Sequence, residues 1–350
     1  MEIRVVGIHH KTAPIEIREK FFCTPLQQEL ILSELKSHPS VIEAIILSTC
    51  NRTEIYANTL GGAEDSELLI NLLFQVKNLE PTAELQKYFY THTGKNAVAY
   101  FLSVTSGLES LVLGEKQILG QVKEAVALSR KKAMLGKHFN ILSNIAIRTG
   151  KKAQHETSIS HGGASLSWAA VSMAEKVLGS LKDKSVLIIG AGKMGELAGD
   201  QIANKGVKEL FVMNRTESCA LELASRISGE AVSFGDIKEI LSRVDVCICS
   251  VGAPHYILDK STVEKIMLSR PEREIVLIDI SMPRNIDPEV AQVIGASLFV
   301  IDDLDRVVND NMRKRQSAVK DVQAIIASGI VHYEEKIFKL TQYSPTEFTA

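Results

Sequence analysis

A glycine-rich segment between an apolar run and a helical pattern constrains the fold of this chain most strongly. Residues 186–189 are apolar, and after them come Gly190, Ala191, Gly192, Lys193, Met194 and Gly195. In this G-x-G-x-x-G spacing, glycines permit a tight turn and let the backbone approach a pyrophosphate at the start of a helix. The segment therefore predicts a dinucleotide site, with an ordinary glycine-rich turn as the alternative.

Short apolar runs alternate with helical patterns around this segment. The further runs cover residues 210–213, 244–249, 275–279 and 298–301. Parallel strands need helical crossovers, and a doubly wound α/β domain buries both faces of its sheet. We therefore predict a parallel-sheet Rossmann domain over residues 156–302.

The residues after the second of these strands indicate which cofactor the domain prefers. An NAD site usually places Asp or Glu about 20 residues beyond the glycine segment, where it binds the ribose 2′-hydroxyl. This chain has Asn214, Arg215 and Thr216 there. A guanidinium suits a 2′-phosphate, so the sequence favours NADP. The alternative is that Arg215 is only a surface charge.

Residues 1–155 have the pattern of a separate mixed α/β domain. Strands are predicted over residues 3–8, 41–47 and 53–57, and the pattern from residue 66 onward is mostly helical. A chain of 350 residues has room for two or three domains.

Cys50 is the candidate nucleophile of this first domain. It lies at a polar tip between two predicted strands, flanked by Thr49, Asn51 and Arg52. A nearby cation such as Arg52 either favours the reactive thiolate or binds a substrate carboxylate. A lone cysteine is more often a small buried side chain. A thiol combined with a nicotinamide domain, however, is the apparatus for reducing a thioester to an aldehyde.

A second polar cluster follows in the helical part of this domain. Two glycines punctuate it, and its polar side chains are Ser110, Glu115, Gln117 and Gln121. An ordinary capped helix start would explain these residues equally well.

The composition excludes several classes of protein. The formal net charge is −2, whereas a protein that wraps nucleic acid needs a surplus of Lys and Arg. The five cysteines show no C-x-x-C zinc pattern, which favours a reduced cytoplasmic protein without a metal. No apolar run reaches the ~18 residues of a membrane span, so no membrane partner is expected.

A single long helical pattern occupies the last part of the chain, residues 303–350. Its apolar stripe is formed by Val319, Val322, Ile326, Ile330, Tyr333, Ile337 and Leu340. Such a helix is too long to be covered by this chain alone, so we expect a partner along the stripe.

Together these motifs resemble the glutamyl-tRNA reductase family over residues 1 to about 320. The matching blocks are residues 10–14 (HKTAP), 48–54 (STCNRTE), 106–115 (SGLESLVLGE), 117–123 (QILGQVK), 190–195, 214–216, 283–288 (PRNIDP) and 311–316. The two blocks nearest the N-terminus, placed before this dinucleotide fold, are highly specific.

The resemblance implies a defined chemistry. Cys50 would attack the ester between glutamate and the tRNA 3′ end, and NADPH would reduce the thioester to glutamate-1-semialdehyde, the entry to tetrapyrrole (porphyrin and haem) biosynthesis. An Arg–carboxylate contact would select glutamate. The residues that match substrate positions of the family are Thr49, Asn51, Arg52, Ser110, Glu115, Lys116, Gln117 and Gln121.

One position departs from the family pattern. Tyr100 stands where the family usually has a histidine thought to assist activity, so it is a second catalytic candidate. Tyr keeps a hydroxyl but does not titrate near neutral pH. If the segment is helical, His92 lies about two turns away from it.

The resemblance also implies the organisation of the protein. It predicts a catalytic domain with its connecting helix over residues 1–155, the NADP domain over 156–302, and a truncated helical dimerisation region over 303–350. The expected partners are glutamyl-tRNA, a second copy of the chain in a V-shaped homodimer and, as a candidate, glutamate-1-semialdehyde aminotransferase.

Two alternatives to an active reductase remain open on the sequence. A shortened paralogue without reductase activity, acting as a binding or regulatory protein, is favoured by Tyr100 and the short C-terminal region. Retention of Cys50, Arg52 and the glycine segment favours catalysis. An NADP-dependent dehydrogenase of the shikimate dehydrogenase type would leave the Cys50 block unexplained.

Overall fold

The computed structural model describes residues 1–160 and 165–342, which form two compact units. The first unit combines the N-terminal part with residues 312–342, and the second covers residues 165–311. Residues 161–164 and 343–350, which belong to predicted domains, lie outside the described part of the chain. The functional domain limits at residues 155 and 302 stay predictions.

The first unit contains a four-stranded antiparallel sheet in the order β2-β3-β1-β4. Its strands are β1 (Glu2–His9), β2 (Val41–Ser48), β3 (Arg52–Thr59) and β4 (Tyr90–Thr93). Its helices are α1 (Ile15–Phe21), α2 (Pro25–Ser37), α3 (Asp65–Val76), α4 (Ala83–Gln86), α5 (Gly94–Thr105), α6 (Gln117–Lys131) and α7 (Lys137–Glu156).

Both faces of this sheet are buried. Since successive side chains of a strand point to opposite sides, each strand contributes to two cores. Val5 and Tyr56 face a core built with α5, α6 and α7. Val6 and Ile55 face a second core built with α2 and α3. The loops at the strand ends are therefore fixed by packing from both sides.

The part of the chain after residue 66 is mostly helical, as predicted, but the short strand β4 interrupts it and was not predicted. His92 lies on this strand, opposite Val5 of β1. Its ring centroid is 4.8 Å from that of Tyr100, so the predicted separation of two helical turns is wrong. Pairing with β1, which is distant in sequence, decides the conformation of this short run.

The second unit is a six-stranded parallel sheet in the order β10-β9-β8-β5-β6-β7, which confirms the predicted Rossmann class. Its strands are β5 (Ser185–Ile189), β6 (Glu209–Met213), β7 (Glu230–Val232), β8 (Val246–Cys249), β9 (Ile275–Asp279) and β10 (Ala296–Val300). Its helices are α8 (Leu166–Leu178), α9 (Lys193–Ile202), α10 (Glu217–Arg226), α11 (Ile237–Arg243) and α12 (Lys260–Leu268).

The long C-terminal helix α13 (Asp305–Gln342) packs on the first unit through the second half of its length. Val322, Ile326 and Tyr333 are buried in the core formed with α5 and α7. A Cβ added at Gly329 would lie 2.7 Å from a methyl of Leu102, so α13 approaches α5 closely. The expectation that the apolar stripe needs a second chain is therefore wrong where α13 packs on α5 and α7. The homodimer stays a prediction.

No helix among the described residues is long and apolar enough to cross a membrane.

Truncation of the α13 stripe tests this packing. Ile326 is 6% exposed, whereas Val331 on the same helix is 55% exposed. We expect Ile326→Ala to lower the free energy of unfolding of the first unit by about 3 kcal/mol, because it leaves a cavity. The matched Val331→Ala should change it by less than about 0.5 kcal/mol. Urea unfolding measures both values, and equal effects would contradict the packing of α13.

Candidate active site

Cys50 lies at the tip of the β2–β3 hairpin, where backbone hydrogen bonds fix the chain. The Thr49 N–H donates to the Arg52 carbonyl at 2.8 Å. The Asn51 carbonyl accepts from the His10 N–H at 3.0 Å, which ties the tip to the segment after β1. The residues that flank Cys50, namely Thr49, Asn51 and Arg52, are all buried. The thiol is therefore held on a rigid tip rather than on a mobile loop.

Arg52 connects this tip to the segment that carries the second polar cluster. Its Nη1 donates to Glu54 Oε1 at 2.8 Å and to the Tyr100 hydroxyl at 3.1 Å. Its Nη2 donates to the carbonyl of Glu109, in the loop between α5 and α6. The guanidinium is buried and its charge is balanced by Glu54.

The loop between α5 and α6 is shaped by two glycines with positive φ. Gly107 has φ +78° and Gly114 has φ +77°, a region that side chains other than glycine rarely occupy. A Cβ at Gly114 would lie 2.2 Å from the carbonyl oxygen of Ile159. This compact turn presents Ser110 and Glu115 on the same side as the hairpin tip.

A small recess brings most of the predicted site residues together. Asn51 Oδ1 and Gln117 Nε2 are buried there and make no hydrogen bond with the described residues. Buried polar atoms normally have partners, so these two indicate a place for a ligand. The recess is lined by Thr49, Cys50, Asn51, Arg52, Ser110, Glu115, Gln117, Ile118 and Gln121.

Two predicted site residues lie outside the lining of this recess. Lys116 is exposed and precedes α6. Tyr100 lies behind Arg52, to which it is hydrogen-bonded. Ile118 also lines the recess, although its place in the sequence has the pattern of a core residue. Glu54 was not predicted as a site residue, although a carboxylate two residues after Arg52 on a strand must share its face.

The Cys50 thiol is protonated at neutral pH. Burial raises its pKa to about 12, and the negative charge of Glu115 acts in the same direction. Arg18 and Arg52 lower the pKa, but they offset only part of this rise. Of the two roles that the sequence left open for Arg52, its effect on the thiol is outweighed by burial, and the binding of a substrate carboxylate stays a prediction.

The two histidines of the segment after β1 are neutral at physiological pH. Burial, followed by the charge of Arg52, lowers the pKa of His9 to about 4. The same two causes lower the pKa of His10 to about 2. The His9 ring lies 4.6 Å from the ring of Tyr90. Neither imidazole is therefore protonated when the thiol reacts.

In the second unit the three glycines of the G-x-G-x-x-G segment have different roles. Gly190 has φ +111°, which makes the tight turn after β5. A Cβ at Gly195 would lie 1.8 Å from the Gly190 carbonyl oxygen, so this glycine lets α9 approach the strand. A Cβ at Gly192 would meet open space, at the start of α9. This is where a pyrophosphate would approach the backbone, so the segment fits a dinucleotide.

The residues after β6 lie at the same end of the sheet. The Asn214 Oδ1 accepts from the Ala191 N–H at 3.2 Å, which links the two strand ends. Arg215 and Thr216 are exposed. Within the segment itself, Lys193 lies 3.6 Å from Glu196, and the backbone carbonyl of Met194 accepts from Ser167 Oγ. Arg215 is therefore positioned beside the glycine turn with its charge in solvent.

A third loop at this sheet end contains the block of residues 283–288, for which the sequence predicted no role in the site. The buried carboxylate of Asp279, at the end of β9, accepts from the backbone N–H groups of Asn285 and Ile286 at 2.7 and 2.8 Å. The Asn285 Nδ2 donates to the carbonyls of Ala253 and His255. These bonds order the loops after β8 and β9 next to the nucleotide segment.

Alkylation by iodoacetamide tests whether the Cys50 thiol is protonated at neutral pH. Because the pKa of the thiol is raised to about 12, its alkylation rate should rise about tenfold per pH unit from pH 7 to 10 without a plateau. Removal of a negative charge in Glu115→Gln should lower the pKa and speed alkylation at fixed pH. Peptide mass spectrometry separates Cys50 from the exposed Cys219. A plateau below pH 9 would contradict the protonated resting thiol.

Two glycine variants test the nucleotide segment. Gly195→Ala should destabilise the second unit by about 1–3 kcal/mol and abolish dinucleotide binding, because its Cβ overlaps the Gly190 carbonyl. Gly192→Ala should leave stability within about 0.5 kcal/mol yet weaken binding, because its Cβ occupies the approach to the backbone. Thermal unfolding and fluorescence titration measure these effects. Unchanged binding in both variants would contradict the assignment.

Two family models match the chain. Residues 6–157 match the glutamyl-tRNA(Glu) reductase N-terminal domain. Residues 172–307 match shikimate / quinate 5-dehydrogenase. The boundary between the two matches falls between the two units of the structure.

Curated relatives and a solved structure cover most of the chain. The glutamyl-tRNA reductase of Bacillus pumilus is 38% identical over 335 residues, which are 96% of this chain and 73% of that protein. That of Aquifex aeolicus is 41% identical over 322 residues, 92% of this chain and 77% of that protein. The structure of glutamyl-tRNA reductase from Methanopyrus kandleri is 33% identical, covers 97% of this chain and 81% of that one, and has a TM-score of 0.54.

The two units of this chain thus match glutamyl-tRNA reductases along more than nine-tenths of its length, and the chain belongs to the glutamyl-tRNA reductase family of oxidoreductases.

Proposed function

We propose that this chain is an active NADPH-dependent glutamyl-tRNA reductase, which makes glutamate-1-semialdehyde in the first step of tetrapyrrole biosynthesis. The observation that carries the proposal is the recess around Cys50. It surrounds one thiol with polar side chains, and it contains the unsatisfied atoms Asn51 Oδ1 and Gln117 Nε2. A shortened paralogue with only a binding role would have no use for a thiol there.

Cys50 forms the covalent intermediate in this proposal. Its sulfur attacks the carbonyl carbon of the ester between glutamate and the tRNA ribose. The carbon–oxygen bond to the ribose breaks, the tRNA leaves as the alcohol, and the glutamyl group remains on the sulfur as a thioester. The rigid hairpin tip supplies the orientation that this attack requires.

The protonated thiol needs a base during the attack. Glu115 carries the one carboxylate among the side chains that line the recess. Its charge already acts on the thiol, whose pKa it raises. We assign it the role of taking the thiol proton as the carbon–sulfur bond forms and returning it to the ribose oxygen as the carbon–oxygen bond breaks.

Arg52 selects glutamate in this proposal. Its bonds to Glu54, Tyr100 and Glu109 use three of the five N–H donors of the guanidinium, which leaves two for a carboxylate. A buried, preorganised guanidinium discriminates strongly against a neutral side chain. The hydroxyl and amide groups that complete the polar lining are those of Thr49, Asn51, Ser110, Gln117 and Gln121.

The second unit holds the dinucleotide through the segment from Gly190 to Gly195. The open space at Gly192 admits the pyrophosphate, and the exposed Arg215 would bind the 2′-phosphate. Bound NADPH supplies the hydride that reduces the thioester and releases the aldehyde and the Cys50 thiolate. The homodimer, and delivery of the aldehyde to glutamate-1-semialdehyde aminotransferase, belong to the same proposal through the family resemblance.

The direct test supplies purified protein with glutamyl-tRNA and NADPH and measures glutamate-1-semialdehyde. We expect the wild type to make the aldehyde, and Cys50→Ala to make none while it binds NADPH normally. Cys219→Ala, which removes an exposed thiol of the second unit, should retain full activity. No product from the wild type would favour the binding paralogue, and turnover by Cys50→Ala would exclude this thiol as the nucleophile.

Glu115→Gln separates the two effects of Glu115. The variant should alkylate faster, because its thiol pKa is lower, and yet turn over at least about tenfold more slowly, because it lacks the base. Steady-state kinetics measure the turnover. Turnover equal to that of the wild type would remove Glu115 from the mechanism.

A further inference from the structure

Three tyrosine hydroxyls and one guanidinium converge on a single buried carboxylate behind the recess. Glu54 Oε1 accepts from Arg52 Nη1 at 2.8 Å, from the Tyr90 hydroxyl at 2.6 Å and from the Tyr100 hydroxyl at 2.9 Å. Glu54 Oε2 accepts from the Tyr56 hydroxyl at 2.5 Å. With donors on both of its oxygens, Glu54 is the shared acceptor of this cluster rather than a base.

The cluster joins three elements of the first unit. Arg52 and Glu54 lie on β3, Tyr90 lies on β4, and Tyr100 lies on α5. The hydroxyls of Tyr90 and Tyr100 lie 2.9 Å apart. Because each group is bonded to another element, the guanidinium cannot rotate without breaking several hydrogen bonds at once.

The bonding of Tyr100 fits a fixed role rather than a proton-transfer role. Its hydroxyl accepts from Arg52 Nη1 and donates to Glu54, so both its donor and an acceptor position are occupied. Burial and the negative charge of Glu54 raise its pKa. Tyr100 is also absent from the lining of the recess.

We propose that Tyr100 and Tyr90 are positioning residues, which hold the Arg52 guanidinium in the orientation that binds the carboxylate of the glutamyl group. The inference rests on the proposed function and names the residues on which its substrate selection depends. Glu54 neutralises the buried charge of Arg52, and the hydroxyls of Tyr90 and Tyr100 fix the orientation of its guanidinium.

Phenylalanine substitutions test this role, because they remove one hydroxyl and keep the ring. Tyr100→Phe should raise KM for glutamyl-tRNA about tenfold and change kcat by less than about threefold. Tyr90→Phe, which touches Arg52 only through Glu54 and Tyr100, should raise KM by a smaller factor. In the double variant the increase should be smaller than the product of the two single effects, because the groups share one acceptor.

Tyr88→Phe is the matched control, since this tyrosine packs on the other core of the unit. It should leave KM and kcat unchanged. NADPH affinity and the unfolding midpoint of each variant show that it is folded. A proton-transfer role for Tyr100 would instead lower kcat about a hundredfold or more at unchanged KM. That result, or an unchanged KM in both variants, would overturn the inference.

Binding measurements distinguish this inference from the proposed function. In a Cys50→Ala background, where no acyl transfer takes place, the ratio of the dissociation constants for uncharged tRNA and glutamyl-tRNA reports the carboxylate contact. Tyr100→Phe should reduce this ratio about tenfold, whereas Tyr88→Phe should preserve it. If the wild type makes no aldehyde but Tyr100→Phe still reduces the ratio of dissociation constants, only the proposed reductase activity is contradicted. If Tyr100→Phe leaves this ratio unchanged, the positioning role is contradicted.

Discussion

The guanidinium of Arg52 holds together the parts of the first unit that form the recess. Through Glu54 and Tyr100 it connects β3 to α5, and through the Glu109 carbonyl it connects β3 to the loop before α6. A buried charge of this kind is stable only with a partner, and loss of one partner costs about 3–5 kcal/mol. The position of Cys50 relative to Ser110 and Glu115 therefore depends on an interaction outside the reacting atoms.

The electrostatics of the recess follow from the same pairing. Since Glu54 balances Arg52, the positive charge has little effect on Cys50, whose pKa is raised by burial and by Glu115. In the proposed reductase this arrangement reserves Arg52 for the substrate carboxylate. It also keeps the thiol protonated until a substrate is bound, which limits side reactions of a strong nucleophile.

Local sequence patterns predicted the parts of the structure that are determined locally. The glycine segment, five of the six parallel strands and the hairpin tip at Cys50 lie where turn chemistry and apolar runs indicated, whereas the short edge strand β7 was not predicted. The strand β4, the approach of His92 to Tyr100 and the packing of α13 depend on residues far apart in sequence. The pattern of Arg52, Glu54 and Tyr56 could have revealed one face of a strand, but not the tyrosines that α5 and β4 bring to it.

Trapping the thioester tests the central claim about Cys50 most directly. Protein is mixed with tRNA charged with radiolabelled glutamate, without a nucleotide, and is then denatured in acid. If Cys50 is the nucleophile, the label lies on the peptide that contains Cys50 and is released by hydroxylamine, as expected for a thioester. A protein that acquires no label, or acquires it on another residue, would exclude Cys50 as the nucleophile.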